Sequence, residues 1–330
     1  MTPGPTSAVD DILVVCASDH RYLCGLLTTL WSLCQSASDR ACLRFHILDV
    51  GLLASDRVAL RRMLGVAGVA EAQIEFHSIS AEPFSHLPPW RGSRGAYVRL
   101  LLPDLLPHED FVIYTDIDTL WMRDVAELWE LRNDHHALWA VPDGSGVKTL
   151  SGGRKRQPDL QALGINIPPT AYFCSGLLLM NLRRLRQDDF VQRAQAFLAQ
   201  NIDRLAFPDQ DLYNCFYPAP ETMLLDWRWG EFSTAYGRRE RHSPRVIHYA
   251  HAAPWNHAPS RAGGLWFRAY ADACRAAGLP WRMCHAKLRY WWCACLGTRI
   301  GFLLFLWPLW LFNRKLFNKR LRAFFPQPLP

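Results

Sequence analysis

The sequence predicts an α/β fold built on a mostly parallel sheet. Three observations carry that expectation. Short strand-like runs alternate with segments of helical apolar spacing, the first run is apolar and β-branched as in a buried parallel strand, and that run ends at a polar cluster. Residues 11–17, DILVVCA, form the first strand and stop at Ser18, Asp19 and His20. A helix follows over 22–35, with Leu23, Leu26, Leu27, Leu30 and Leu33 at helical spacing, and LRFHILDV at 43–50 completes a βαβ unit. The alternation continues with a helix through 55–64, a strand at 73–77, a helix over 95–102 and a strand at 111–115. Residues 144–158, GSGVKTLSGGRKRQP, lack periodicity and read as a loop, without the G-x-x-x-x-G-K phosphate cradle. A strand at 173–182 and a helix at 188–200 extend the pattern. Ligands of such sheets bind outside the carboxyl ends of the strands, so chemistry is expected there.

The chain has 330 residues, at or beyond the limit of a single core, which favours one large unit over 1–279 with a tail over 280–330. Half of the residues are apolar and a fifth are charged, which excludes a disordered, collagen-like or disulfide-scaffold chain. The formal charge of +7 is local: ten Lys or Arg and no acid follow Asp272, so the rest is mildly acidic and no nucleic-acid partner is expected. The ten cysteines lie in apolar surroundings without zinc-ligand spacing, and the N-terminus lacks the charged start and apolar stretch of a secretory signal. Reduced thiols in the cytoplasm are the expectation.

The strongest local signal is FVIYTDIDTLW, in which a buried strand runs into Asp116-Ile117-Asp118. On an extended backbone both carboxylates point to one side, which suits a hard divalent cation shared with a phosphate. Alone, the pair is equally well read as turn or capping aspartates. Four more segments supply context: ASDHRY at 17–22, YFCSGLLLMN at 172–181, FPDQDLYN at 207–214 and VIHYAHAAPW at 246–255. Lone histidines such as His46, His77 and His135 are assigned no role. Tyr22, Trp227 and Trp229 read as packing residues, and the His248-x-x-His251 spacing lacks the third ligand of a zinc site.

In their order, these five motifs resemble glycosyltransferase family 8, the retaining GT-A enzymes that include bacterial lipopolysaccharide galactosyl- and glucosyltransferases, over residues 11–255 or so. The resemblance implies a GT-A fold and a UDP-sugar donor. It places Ala17 and Asp19 at the uracil, Tyr97 and Arg99 at the donor, and Asp116, Asp118 and His248 around Mn²⁺ (or Mg²⁺) across the diphosphate. It also places Asp143, Ser175 and Gly176 along the donor hexose, with Asp209 and Gln210 as the catalytic candidates and Gln210 beneath the anomeric carbon. Two carboxylates and a neutral imidazole independently suit Mn²⁺ better than Ca²⁺. Three departures stand out: Cys174 replaces the family's usual Asn, Arg21 replaces another, and His251 and Ala253 stand where a glycine and a lysine are usual.

The expected activity is Mn²⁺-dependent, retaining transfer of glucose or galactose from UDP-glucose or UDP-galactose to a saccharide or glycolipid acceptor of lipopolysaccharide or capsule type. A metal-dependent nucleotidyltransferase or pyrophosphatase, and a catalytically inactive nucleotide-sugar-binding module, stand as alternatives. Residues 290–312 are apolar around Arg299, but the uninterrupted run 300–312 is shorter than the ~20 residues that cross a hydrocarbon core. With Pro308 inside it, basic flanks and five tryptophans after residue 280, the tail is expected to attach peripherally to an anionic membrane surface on the cytoplasmic side.

Overall fold

The computed structural model describes residues 11–79, 95–143, 161, 167–168, 170–205, 207–234, 236, 243–250, 253–256, 261–286 and 288. The first third of the chain follows the expected alternation. Strand β1 (Ile12–Ser18), helix α1 (Leu23–Ser36), β2 (Leu43–Asp49), α2 (Ala54–Val66) and β3 (Ile74–Ser78) form two successive βαβ units in which β1, β2 and β3 pair in parallel. The five leucines expected to share a face of α1 are all buried.

The expected helix over 95–102 is broken into α3 (Gly95–Val98), a 3₁₀ turn at Arg99–Leu101 and α4 (Leu102–Leu105). Pro103 has no N–H to give the carbonyl of Arg99, so the Leu102 N–H takes that carbonyl instead and tightens the turn. Strands β4 (Phe111–Thr115) and β5 (Thr119–Trp121) follow, then a single turn α5 (Ala126–Trp129) and β6 (Leu138–Pro142). The strand expected at 173–182 is β7 (Phe173–Asn181), followed by α6 (Leu182–Gln187), α7 (Phe190–Asn201), α8 (Pro208–Phe216) and β8 (Thr222–Leu224). Next come β9 (Glu231–Phe232), β10 (Val246–His248) and α9 (Arg261–Ala277), and residues 280–286 are again helical.

Seven strands make one sheet in the order β3-β2-β1-β4-β7-β6-β8. It is mostly parallel, but β7 runs antiparallel to both β4 and β6. A continuously apolar strand carries no mark of its direction, and the reversal is the main feature that periodicity leaves open. Helices α1, α2 and α9 pack together, while α4, α6, α7 and α8 form a second group with α8 against β7. A small second sheet orders β5-β10-β9, with His248 of β10 opposite Thr119 of β5 and beside Phe232 of β9.

Helix α9 was not foreseen from the sequence. It ends in a Schellman arrangement at Gly278 (φ +72°), where the Leu279 N–H reaches the Cys274 carbonyl and the Gly278 N–H reaches that of Arg275. The described cysteines are free thiols, and no helix among the described residues is long and apolar enough to cross a membrane. The segment 290–312, the loop 144–158, His251 and His257 lie outside the described residues.

One face of α1 holds the turn between β4 and β5. Gly25 is needed there, because a Cβ would stand 2.7 Å from the Ile117 carbonyl oxygen. One turn on, the Thr29 hydroxyl bonds the carbonyls of Ile117 and Thr119, each at 2.9 Å, and Ser32 Oγ accepts the Trp121 N–H at 3.0 Å. Thr29→Val keeps the shape and strips those carbonyls of their donor, so urea unfolding is expected to show a loss of about 1–3 kcal/mol.

Candidate active site

The D-x-D pair does not continue the strand, as the extended-backbone argument assumed. Asp116, Ile117 and Asp118 form the tight turn from β4 into β5, closed by the Thr119 hydroxyl on the Asp116 carbonyl at 2.9 Å. The carboxylates converge all the same. Because β7 is reversed, its first residues lie beside the end of β4, and the Asp116 N–H donates to the Gly176 carbonyl at 2.7 Å. The second sheet brings His248 from far along the chain, and the Tyr249 N–H fixes it by donating to the Asp118 carbonyl at 2.9 Å. Ligand atoms of Asp116, Asp118 and His248 then lie within 4.8 Å of one another.

Several observations make this cluster a fitting place for a divalent cation. Asp118 Oδ1 and His248 Nε2 are buried and face each other at 3.2 Å, yet neither has a hydrogen-bond partner of good geometry among the described residues. A Cβ on Gly176 would stand 2.3 Å from His248 Cε1 and 2.9 Å from Asp116 Oδ2, so a glycine is what leaves the cradle open. The electrostatics also call for positive charge. Burial pushes the Asp116 carboxyl up to about 6 against the pull of Arg99. Burial pushes Asp118 up too, but His248 outweighs it and holds that carboxyl below its ordinary value. For His248 burial acts downward, and Asp118, then Cys174, raise the imidazole well above its usual range. Cys174 Sγ stands 3.8 Å from His248 Nδ1, on the nitrogen turned away from the Asp118 contact.

Arg99 ties this cluster to the next. Its guanidinium, almost wholly buried, contacts Asp116 Oδ1 at 2.8 Å, the Ser175 carbonyl at 2.8 Å and Asp209 Oδ2 at 3.4 Å, and lies 4.3 Å from the centre of the Tyr114 ring. Burial works against its charge, but Asp116, Tyr114 and Asp209 keep it protonated. Asp209 also accepts from the Ser175 hydroxyl at 3.0 Å.

Helix α8 presents Asp209 and Gln210 from its first turn, with Pro208 at its start and acids where the helix dipole favours them. Asn214 anchors it: its amide both accepts from the Phe173 N–H and donates to the Phe173 carbonyl, at 2.9 Å each. The Ser175 N–H can only donate, so the Gln210 atom facing it at 3.2 Å is Oε1. Nε2 then donates to Asp143 Oδ2 at 3.2 Å and to the Tyr172 hydroxyl at 3.0 Å, while Tyr172 donates to Asp211 at 2.7 Å. Both amide protons are spent, and what Gln210 offers the cavity is a lone pair on Oε1.

Two cavities meet at the carboxylates. One, of about 400 Å³, runs from Ala17 and Asp19 at the end of β1 to Trp255 and Asn256. The other, of about 170 Å³, is lined by Asp143, Ser175, Gly176, Asp209, Gln210 and His248 among others. Arg99, Asp116 and Asp118 line both. Tyr97 lines neither: Gly95 and Arg99, four residues apart, face the larger cavity, and the intervening Tyr97 is turned into the core. Tyr22, read from the sequence as packing, lines the larger cavity edge-on to Trp255. Trp255, Asn256 and the Phe232 that borders the smaller cavity were missed, since a lone aromatic or amide in an aperiodic stretch has no chemical signature. Arg21 is paired with Asp19 at 2.9 Å.

This geometry accords with the sequence relations of the chain. Residues 13–258 match the family model described as glycosyl transferase family 8. The chain belongs to glycosyl transferase family 8. As a member it is a glycosyltransferase. Among curated relatives, General stress protein A of Bacillus subtilis is 25% identical over 267 residues, covering 74% of this chain and 87% of that protein. Mouse glucoside xylosyltransferase 2 is 28% identical over 173 residues, covering 46% of this chain and 37% of its own. Among solved structures, the galactosyltransferase LgtC, in complex with donor and acceptor sugar analogs, superimposes with a TM-score of 0.65 at 24% identity, covering 81% of this chain and 95% of that one. GlyE of Streptococcus pneumoniae superimposes with a TM-score of 0.59 at 19% identity, covering 81% and 63%. At these identities the structural matches establish the GT-A-like fold.

The family 8 core therefore holds the carboxylate cluster through the bare backbone of Gly176. Gly176→Ala is expected to push the His248 ring away from the carboxylates and weaken divalent-cation binding at least about tenfold, measured by Mn²⁺ titration calorimetry on folded protein. An unchanged affinity would show that the cradle tolerates a methyl group.

Proposed function

We propose that this glycosyltransferase moves glucose or galactose from a UDP-sugar to a saccharide or glycolipid acceptor with retention of the anomeric configuration. The observation that carries the reading is the position of Asp116 and Asp118 on the wall common to two cavities. A nucleotide sugar has the same plan: a nucleoside at one end, a sugar at the other and a diphosphate between. In this reading Ala17, Asp19 and Tyr22 face the nucleoside, and Asp143, Ser175 and Gly176 face the hexose.

Asp116, Asp118 and His248 would hold Mn²⁺ or Mg²⁺. When bound, such a cation offsets the negative charge that builds on the departing UDP. The remaining work falls to the chain itself. Arg99 supplies a second, fixed positive charge at the partition. Gln210 offers the Oε1 lone pair to a sugar that becomes oxocarbenium-like as UDP leaves, and its three hydrogen bonds keep that atom from turning away. Asp209 is braced by Arg99 and Ser175 beside it. Membership of family 8 sets aside the nucleotidyltransferase and pyrophosphatase reading.

We further place the limit of the catalytic unit at residue 279, where the Gly278 turn ends α9, and assign residues 280–330 to peripheral attachment on the cytoplasmic face of an anionic membrane. At the start of that segment Trp281 and Leu288 are strongly exposed, while Met283 and Ala286 pack against the core. A glycolipid acceptor of lipopolysaccharide or capsule type gives such attachment a purpose.

Purified full-length protein with Mn²⁺ is expected to release UDP from UDP-glucose or UDP-galactose. UDP-xylose belongs in the panel because relatives are named xylosyltransferases. Release from none of them would leave an inactive nucleotide-sugar-binding module. With the active donor, Gln210→Ala is expected to lower kcat by about 10²-fold while moving the donor KM far less. The reverse split would make Gln210 a ground-state contact. In flotation assays the full chain should rise with anionic vesicles and be partly released by high salt, because each Lys or Arg near the surface contributes about 1 kcal/mol that salt screens. Equal indifference to neutral and anionic vesicles would overturn the attachment.

A further inference from the structure

A second group of convergent ligand atoms lies away from the carboxylate cluster, at the edge of the large sheet. β2 and β3 pair in parallel with His46 in register with Glu75, which puts those two side chains on one face, and His77, two residues on, joins them. Phe76 between them points the other way, beneath Arg57 and Arg61 of α2. His46 Nδ1 and His77 Nε2 stand 2.9 Å apart with their rings nearly parallel, 22° between planes. The Glu75 carboxylate reaches both, at 3.7 Å from His46 Nδ1 and 3.6 Å from His77 Nε2.

We propose that His46, Glu75 and His77 form a binding site for a transition-metal ion of the zinc class, separate from the catalytic cluster. Ligands ~2.0–2.1 Å from a tetrahedral Zn²⁺ lie about 3.4 Å from one another. The separations here, 2.9 Å between the two nitrogens, 3.7 Å from His46 Nδ1 to Glu75 Oε2 and 3.6 Å from His77 Nε2 to Glu75 Oε1, bracket that value before any ion has drawn the side chains in. A hydrogen bond between two imidazoles accounts for the shortest of them but gives no reason for a carboxylate to close on both nitrogens. Two nitrogens and an oxygen suit Zn²⁺, Co²⁺ or Ni²⁺ and disfavour Mg²⁺ and Ca²⁺, whereas the catalytic set is richer in oxygen. The exposures fit an ion entering from solvent: His46 and His77 are 12% and 16% exposed and held by the sheet, while Glu75 is 64% exposed and leaves the remaining coordination position to water. Burial, then His77, holds the His46 imidazole below its usual value despite Glu75. An ion here fastens β2 to the edge strand β3, from whose end the chain leads through residues 80–94 to Gly95 and Arg99.

The test uses full-length protein stripped by chelator and titrated with Zn²⁺, and in parallel with Co²⁺, whose visible absorption reports four-coordinate nitrogen and oxygen ligation. Wild type is expected to bind one more equivalent of Zn²⁺ than His77→Gln. Glu75→Gln, a change at an exposed carboxylate that leaves the fold intact, should weaken the same site at least about tenfold. Both variants should keep Mn²⁺-dependent UDP-sugar turnover within about twofold, which separates this site from the catalytic one. Equal Zn²⁺ stoichiometry and affinity in wild type and Glu75→Gln would overturn the proposal. So would a Co²⁺ spectrum that neither variant changes, in which case the histidines are a hydrogen-bonded pair and nothing more.

Discussion

A single backbone hydrogen bond, from the Asp116 N–H to the Gly176 carbonyl, marks the constraint on which this active site rests. It exists because β7 enters the sheet against the direction of β4, so that the start of one strand lies beside the end of the other. A parallel β7 would carry Ser175 and Gly176 to the far end of the sheet. Reversed, it delivers the one residue type that leaves room for His248, and it positions Phe173 for the Asn214 amide that docks α8. The first-turn residues Asp209 and Gln210 reach the cavity through that docking. Strand direction, glycine and helix anchor are thus parts of one arrangement.

Burying so many carboxylates together needs compensation, and Arg99 provides it with several contacts at once. Its planar fork reaches Asp116, Asp209 and a backbone carbonyl while its face rests on Tyr114. A lysine carries the same charge but lacks the fork and the flat face. The short α3 and the 3₁₀ turn forced by Pro103 are what present Arg99 at this spot, so an apparent irregularity of the helix serves the electrostatics of the site.

The first βαβ units were legible because their strands and helices have different apolar periods, and the D-x-D pair was legible because a buried strand ends on two acids. The direction of β7 was not, since its run of buried residues is the same read either way. His248 could be joined to Asp116 and Asp118 through the order of motifs, but no local pattern announces that a three-residue strand will pair with another three-residue strand more than a hundred residues earlier. Tyr97 faces the core for a geometric reason: Gly95 and Arg99, four residues apart, take the cavity side, and the residue midway between them points away from it. Helix α9 carries Trp266, Phe267, Tyr270 and Cys274 at helical spacing, and all four are buried.

The partition between the two cavities has a consequence for how such an enzyme changes over time. The walls of the larger cavity come from the end of β1 and from the stretch around Trp255; those of the smaller come from β7, the end of β6 and α8. The two sets share Arg99 and the two aspartates and little else. Substitutions along β7 or α8 can therefore reshape the smaller cavity while the walls of the larger one stay as they are. Cys174 stands on the smaller cavity's wall, beside Ser175 and Gly176. The fold thus lets one chamber be rebuilt without disturbing its neighbour.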